Sequence, residues 1–163
     1  MNREKLSELF NVIKCKSNSL ESYDTGNIPF VSSTVLNNGV EKMVDTPNQD
    51  QIIKTVPCIA VSGFGFATVQ TRPFIGAGNN GAYVKALIPI KKMNMMELIW
   101  YSAQINMQSW RFSYGRLAIK QRVKILELIK FNLNDSKISK IEFELNKNLR
   151  DSYTRVVGNK QKS

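Results

Sequence analysis

The sequence of 163 residues contains no histidine. Without an imidazole, Ser-His-Asp and Cys-His nucleophile arrangements and histidine metal sites are all excluded. The two cysteines, Cys15 and Cys58, lie far apart and outside any Cys-x-x-Cys spacing, so they indicate neither a disulfide framework nor a zinc site and read as ordinary buried thiols. No run approaches the roughly 18 consecutive apolar residues of a membrane span. Met1-Asn2-Arg3-Glu4-Lys5 leads into an amphipathic pattern and not into an apolar signal core. A cytoplasmic protein with no membrane partner is expected, and 42% hydrophobic content suffices for a single core.

Acidic residues are scarce where basic ones concentrate. Of the formal net charge of +10, residues 51–126 contribute +9, from ten basic side chains against one carboxylate, Glu97. Residues 1–50 carry five basic and seven acidic side chains, and residues 127–163 carry eight and five. A field of one sign concentrated in one segment points to a polyanion. The plainer alternative is a generic basic surface whose ten charges share no face. A metal-dependent nuclease needs clustered carboxylates, yet Glu97, three residues after Asn94, reads as the reciprocal partner of a helix N-cap. Glu142 and Glu144 lie close in sequence without resembling a nuclease site. Neither a catalytic constellation nor a cofactor is expected.

Leu6, Leu9, Phe10 and Ile13 fall at i, i+3, i+4 and i+7 and predict a short opening helix or turn of helix. Asn27-Ile28-Pro29-Phe30-Val31-Ser32-Ser33-Thr34 reads as a strand ending in hydroxyls, Asn37-Asn38-Gly39 as a turn compatible with positive φ, and Val40 to Val44 as the returning strand. Cys58 to Val61, Phe66 to Val69 and Tyr83 to Ile88 are further short β-favouring runs. Beyond Lys91 the spacing of Met95 or Met96, Ile99, Ala103 and Met107 predicts a helix, and that of Ile119, Val123, Leu126 and Ile129 a second. Ile138, Ile141, Leu145, Leu149, Tyr153 and Val156 mark an amphipathic tail, although Ile141, Phe143 and Leu145 also alternate like a strand. The expected class is α/β (α+β): a compact, twisted, mostly antiparallel sheet with flanking helices over residues 1–133, then a short helical tail with a frayed end over 134–163.

Two glycine motifs invite cofactor readings. Gly76-Ala77-Gly78-Asn79-Asn80-Gly81 matches Gly-x-Gly-x-x-Gly, with Glu97 about twenty residues on. Pro73 stands just before it and Pro89 cuts short any helix starting at Ala82, so the string reads as a flexible turn instead of a dinucleotide site. Asn79 and Asn80 either offer amides to adenine edges and phosphates or form an ordinary loop. Gly63-Phe64-Gly65-Phe66 lacks the Asn-Pro-Pro-Tyr or Asp-Pro-Pro-Tyr string of a methyltransferase and reads as a tight β-turn.

The densest functional signal is Trp110-Arg111-Phe112-Ser113-Tyr114-Gly115-Arg116, where turns between helices normally carry small polar residues. Arginine forks suit phosphates and guanine edges, and Gly115 supplies freedom for a sharp turn. Two readings stay open here. Either the three rings anchor the loop on the core and the arginines are merely solvated, or the loop faces a ligand.

Taken in order, the motifs resemble a known family. Leu6-Ser7-Glu8-Leu9-Phe10, then Gly26 to Thr34 with Asn37-Asn38-Gly39-Val40, is similar to the start of a target recognition domain from type I restriction-modification specificity subunits. Arg111-Phe112-Ser113-Tyr114-Gly115-Arg116, set between a helix and a basic helix, resembles the segment near the close of these domains. The resemblance spans about residues 5–133. It implies a non-catalytic module that reads part of a bipartite double-stranded DNA site on behalf of a modification methyltransferase and a nuclease. The candidate DNA-contacting residues are then Ser32, Ser33, Thr34, Asn37, Asn38, Arg72, Asn79, Asn80, Arg111, Ser113, Tyr114, Arg116, Lys120 and Arg122. In the family, two recognition domains are separated by long helices that form a coiled coil. The tail from Ile138 to Val156 is too short for that spacer, which leaves self-association or pairing with a second recognition domain open. The alternative reading is a protein-interaction or inhibitory module derived from such a subunit.

Overall fold

The computed structural model describes residues 2–78 and 84–132. Contacts divide the chain into two units, Met1–Lys130 and Phe131–Ser163, and every element among the described residues belongs to the first. The expected tail over 134–163, along with Asn79 and Asn80, lies outside the described residues. In chain order the elements are β1 (Arg3–Lys5), α1 (Leu6–Leu9), β2 (Phe10–Lys14), β3 (Thr25–Val31), β4 (Val40–Val44), β5 (Ile52–Ile53), β6 (Cys58–Val61), β7 (Ala67–Gln70), β8 (Phe74–Gly76), β9 (Lys85–Pro89), α2 (Met95–Met107), α3 (Lys120–Lys124) and β10 (Glu127–Ile129). Among the described residues, no helix is long and apolar enough to cross a membrane.

The class is α+β with mostly antiparallel pairing, as expected, but the single sheet resolves into two. One runs β2-β9-β6-β7, the other β4-β3-β8-β5, and β1 pairs with β10 in a separate ribbon. The division turns on β8, which pairs parallel to β3 and antiparallel to β5. Between the sheets Phe30, Val44, Phe74, Ile75, Cys58, Ala60 and Ala86 form one buried cluster. Side chains alternate along a strand, so Ile59 and Leu87, paired in register one residue from Ala60 and Ala86, face the other way. On that face Phe10 meets Tyr101 of α2 edge-on at 5.6 Å.

Local chemistry fixes the start of α2. Asn94 Oδ1 accepts from the Glu97 N–H at 2.9 Å while Glu97 Oε2 accepts from the Asn94 N–H at 2.7 Å, the reciprocal cap that the spacing predicts. The inward face differs from expectation. Leu98, Tyr101, Ser102 and Ile105 are buried, whereas Met107, on the expected stripe, is 77% exposed. Both faces of α2 are apolar, and periodicity alone does not choose between them.

Two expected helices are also cut short. Phe10 and Ile13 continue past α1 not as helix but as β2, because all five residues of β2 find partners in β9. The helix expected through Ile129 stops at Lys124, and Glu127–Ile129 pairs with Arg3–Lys5 instead. Distant backbone partners outweigh local periodicity in both cases.

β8 explains the first glycine of the cofactor-like string. A Cβ on Gly76 would lie 2.4 Å from Cys15 Sγ, 2.8 Å from Cys15 Cβ and 3.0 Å from Val84 Cγ1, so this glycine is a packing residue inside the core. Gly76→Ala is expected to cost about 1–3 kcal/mol through overpacking. Urea unfolding should show a lower midpoint at unchanged slope, and Cys15→Ala in the same chain should recover part of the loss.

Candidate nucleic-acid interface

After α2 the chain makes a 3-10 turn at Ser109–Arg111 and then folds back on itself. Ser113 N–H donates to the Arg116 carbonyl at 3.2 Å and Arg116 N–H to the Ser113 carbonyl at 2.9 Å, which leaves Tyr114 and Gly115 at the tip of a hairpin. Phe112 is its anchor. This ring is 9% exposed and lies over Gly65, where a Cβ would be 2.3 Å from Phe112 Cδ2. Gly65 has φ +79°, the left-handed conformation that glycine tolerates. Gly115, expected to turn sharply, has ordinary φ and open space around it, so the conformational demand falls on the glycine beneath the loop. The remaining rings face solvent. Tyr114 touches Phe64 edge-on at 5.0 Å yet is 91% exposed, and Trp110 is 78% exposed with the Arg111 guanidinium 5.5 Å over its ring. Arg116 is exposed and makes no side-chain hydrogen bond or ion pair with a described residue. The two readings of this loop therefore divide by residue: one ring anchors, while two rings and both arginines remain at the surface.

The turn beneath the hairpin is as tight as its glycines predict. Gly65 N–H donates to the Ser62 carbonyl at 3.0 Å, and the Gly63 carbonyl accepts from Ala118 N–H at 2.7 Å, tying the chain on the far side of the hairpin to the same turn. Carboxamides complete the support. Asn106, near the end of α2, accepts from Ala67 N–H at 2.7 Å and donates to the Ala67 carbonyl at 2.8 Å, imitating a strand partner on the outer edge of β7. Gln104 treats β10 the same way, accepting from Ile129 N–H at 2.6 Å and donating to the Ile129 carbonyl at 3.0 Å. Two residues along β7, the Val69 carbonyl accepts from Asn38 Nδ2 at 2.9 Å, and Gln70 Nε2 donates to the Asn38 carbonyl at 2.9 Å. The Asn37-Asn38 turn has positive φ at both residues, 51° and 54°, as its sequence predicts. It is thus fixed to the same edge strand as the end of α2, with Ala67 and Val69 about 7 Å apart along β7.

Neither a protein-family model nor a curated protein sequence matches the chain. Solved structures do match. The HsdS subunit from Thermoanaerobacter tengcongensis aligns over 95% of this chain with a TM-score of 0.63 at 12% identity. The chain shares its fold with part of that subunit. The type I restriction-modification system S subunit from M. genitalium aligns over 97% with a TM-score of 0.59 at 18% identity. A chain from a structure concerned with complex assembly and conformational transition of the type I R-M system aligns over 95%, with a TM-score of 0.63 at 14% identity. The chain spans 39%, 42% and 40% of these proteins' lengths, less than half of each. The resemblance carried by the sequence motifs is matched by the fold.

On this fold the other candidate residues separate into internal and outward groups. Ser32 is buried and its Oγ accepts from Thr34 N–H at 3.4 Å, while Thr34 Oγ1 accepts from Leu36 N–H at 3.2 Å; with half-buried Ser33, these hydroxyls shape the approach to the Asn37 turn. Arg122 Nη1 donates to the Leu117 carbonyl at 2.9 Å and braces the backbone that leads out of the hairpin. Arg72 is exposed and reaches the Asn27 carbonyl at 3.4 Å. Lys120 faces a cleft of about 470 Å³ whose described lining includes Lys14 and Lys85. Sequence reading missed those two lysines. The signal was the position of Lys85 in alternation with Leu87, which turns a charge toward the apolar face of the strand. Among the described residues, no group of three His, Cys, Asp or Glu side chains is placed to hold a metal ion.

Proposed function

We propose that this domain binds double-stranded DNA sequence-specifically as the target recognition module of a restriction-modification system, directing a methyltransferase and a nuclease that it does not replace. The observation that carries the reading is the hairpin, whose Arg111 and Arg116 stand at the surface beside two exposed rings on a base held by Phe112 and Gly65. A rigid base with exposed guanidiniums suits base-edge readout, which needs side chains held in a fixed register on the duplex. Arg116, without an internal partner, reads a guanine edge in this proposal. Arg111, set 5.5 Å over the Trp110 ring, positions a phosphate. The Asn37-Asn38 turn on the same edge strand supplies a second contact. Pairing with a second recognition domain completes a bipartite site.

Selection from a random-duplex library, followed by titration of the selected and an unrelated duplex at two salt concentrations, tests the proposal. Log K should fall with log salt by about 0.9 per neutralised phosphate. Arg116→Ala should remove about 1–3 kcal/mol of discrimination at one base pair, whereas Arg111→Ala should weaken both duplexes alike and lower the salt slope by about one. Melting temperatures should stay unchanged. With Mg²⁺ and a methyl donor the protein alone should neither cut nor methylate DNA. No duplex affinity even at low salt would overturn the proposal and favour a protein-interaction module.

A further inference from the structure

Three lysines meet at the end of the first sheet that also carries the hairpin. Lys14 ends β2, Lys85 begins β9, and the two are register partners. On its other side Lys85 pairs with Val61, which leads into the turn that holds Phe112. The bond from Ala118 N–H to the Gly63 carbonyl brings the following residues, Ile119, Lys120 and Gln121, to the same place. Together these side chains line a cleft of about 470 Å³, and no carboxylate is among its described lining. Lys85 is 2% exposed and its Nζ has no hydrogen-bond partner.

A buried ammonium without an acceptor is strongly unfavourable, and proteins ordinarily set a carboxylate or carbonyl against it. Burial lowers the Lys85 pKa from 10.5 to about 8; Cys15 opposes the shift and Lys14 adds to it. At neutral pH the group is therefore still largely protonated. What is missing is an acceptor, and the cleft that Lys85 lines is lined also by Lys14 and Lys120. Another cleft, about 550 Å³ beside Arg111, differs in that Glu127 lines it and already faces Arg3 at 3.6 Å.

We propose that Lys14, Lys85 and Lys120 form an oxyanion site that takes a phosphate group. An ammonium is a compact point charge that meets phosphate oxygen irrespective of base sequence, so the site positions and does not read. The phosphate is either a backbone phosphate of the bound duplex, in which case the inference rests on the DNA-binding proposal, or a free phosphate.

Lys85→Met keeps an unbranched side chain one atom shorter and removes the buried charge, and Lys120→Gln removes a charge from the lining of the cleft. Melting temperature is measured in inorganic phosphate and in chloride at equal ionic strength. Phosphate should raise the wild-type value saturably, leave Lys85→Met unmoved, and require several-fold higher concentration for Lys120→Gln. Duplex titrations identify the source. If a backbone phosphate occupies the site, Lys85→Met should lower the salt slope by about one and weaken selected and unrelated duplexes alike. If the slope is unchanged while the phosphate-specific stabilisation disappears, the site takes free phosphate. The proposal is overturned if neither stabilisation nor slope distinguishes Lys85→Met from wild type. Should Lys85→Met fail to fold, Lys14→Gln and Lys120→Gln supply the same two readouts. A protein without duplex affinity would remove the DNA-binding proposal, and the phosphate melts would still decide this site.

Discussion

Gly65→Ala is expected to lower the unfolding free energy by about 2–5 kcal/mol and to dislodge the arginine hairpin, from two additive causes. The backbone at Gly65 has φ +79°, and a side chain in the left-handed region costs about 1–2 kcal/mol. The new Cβ would also lie 2.3 Å from Phe112 Cδ2, 3.0 Å from Cε2 and 3.3 Å from Cγ, so the ring has to tilt away or the whole loop has to shift. Forcing atoms into a packed site costs about 1–3 kcal/mol more. Phe112 is the buried ring of the hairpin, and its displacement moves Arg111 and Arg116 together. Affinity for the selected duplex should fall at least about tenfold, the scale of one lost base contact, while affinity for unrelated duplex changes less. Gly115→Ala is the internal control. No heavy atom lies within 4 Å of a Cβ built there, so stability should change by no more than about 0.5 kcal/mol. Urea unfolding and duplex titration of both variants check the result, and equal effects at the two glycines would refute the anchoring role of Phe112.

Raising the pH from about 8 to 10 should stabilise the wild type relative to Lys85→Met by up to about 1.4 kcal/mol per pH unit. Lys85 has a folded pKa of about 8 against an ordinary value of 10.5. Between these values the unfolded chain binds the extra proton, so raising the pH favours the folded state. Over the whole window the relative gain approaches about 3 kcal/mol. Lys14 and Lys120 line the same cleft as Lys85, and Lys14 and Cys15 act on it electrostatically. The thiols carry the opposite sign. Burial pushes Cys15 and Cys58 up from 9.0 to about 12, so above pH 9 the unfolded chain releases protons that the folded chain keeps, and stability falls. The wild type should therefore rise modestly from pH 8, peak near pH 9 and decline, whereas Lys85→Met should only decline. The Cys58 contribution cancels in the difference between the two curves, and that of Cys15 cancels in part, because Lys85 lowers the Cys15 pKa and its removal lets that value rise further. Parallel curves from pH 7 to 10 would show that Lys85 is not buried as a charge.

Local chemistry was legible where it is self-contained. Asn94 and Glu97 start α2 through bonds made within four residues, and the positive φ of Asn37 and Asn38 follows from their side chains and the glycine beside them. Elements whose partners are distant were not legible. Phe10–Lys14 is a strand because Lys85–Pro89 pairs with it, and Glu127–Ile129 is one because Arg3–Lys5 does. β8 escaped notice because it is a short strand that ends on the first glycine of the string and its pairing with β3 is parallel and remote. The same limit governs the candidate site. Composition picked out Trp110 to Arg116, but Phe112 alone emerges as the buried ring only once Gly65 is brought beneath it. Lys14 and Lys85 escaped notice because nothing local announces that they are register partners, whereas Arg122, read as DNA-facing, turns inward to a carbonyl.

The carboxamides of Gln104 and Asn106 also bear on how this chain behaves in company. The outer edge of a sheet is a template that recruits strands from other molecules, and edge-to-edge growth of that kind leads to aggregates. Among the described residues, β7 lies at the outer edge of its sheet and β10 is half of a two-stranded ribbon. Side chains meet both at the backbone groups an incoming strand would seek first: Asn106 at Ala67 and Asn38 at Val69 on β7, Gln104 at Ile129 and Gln108 at Glu127 on β10, with the Trp100 indole N–H also donating to the Ile129 carbonyl. An amide is a cap one residue wide. Placed on an edge, it occupies the hydrogen-bonding groups but offers no continuing backbone row for a foreign strand to follow, so these side chains guard the domain against polymerising through either edge.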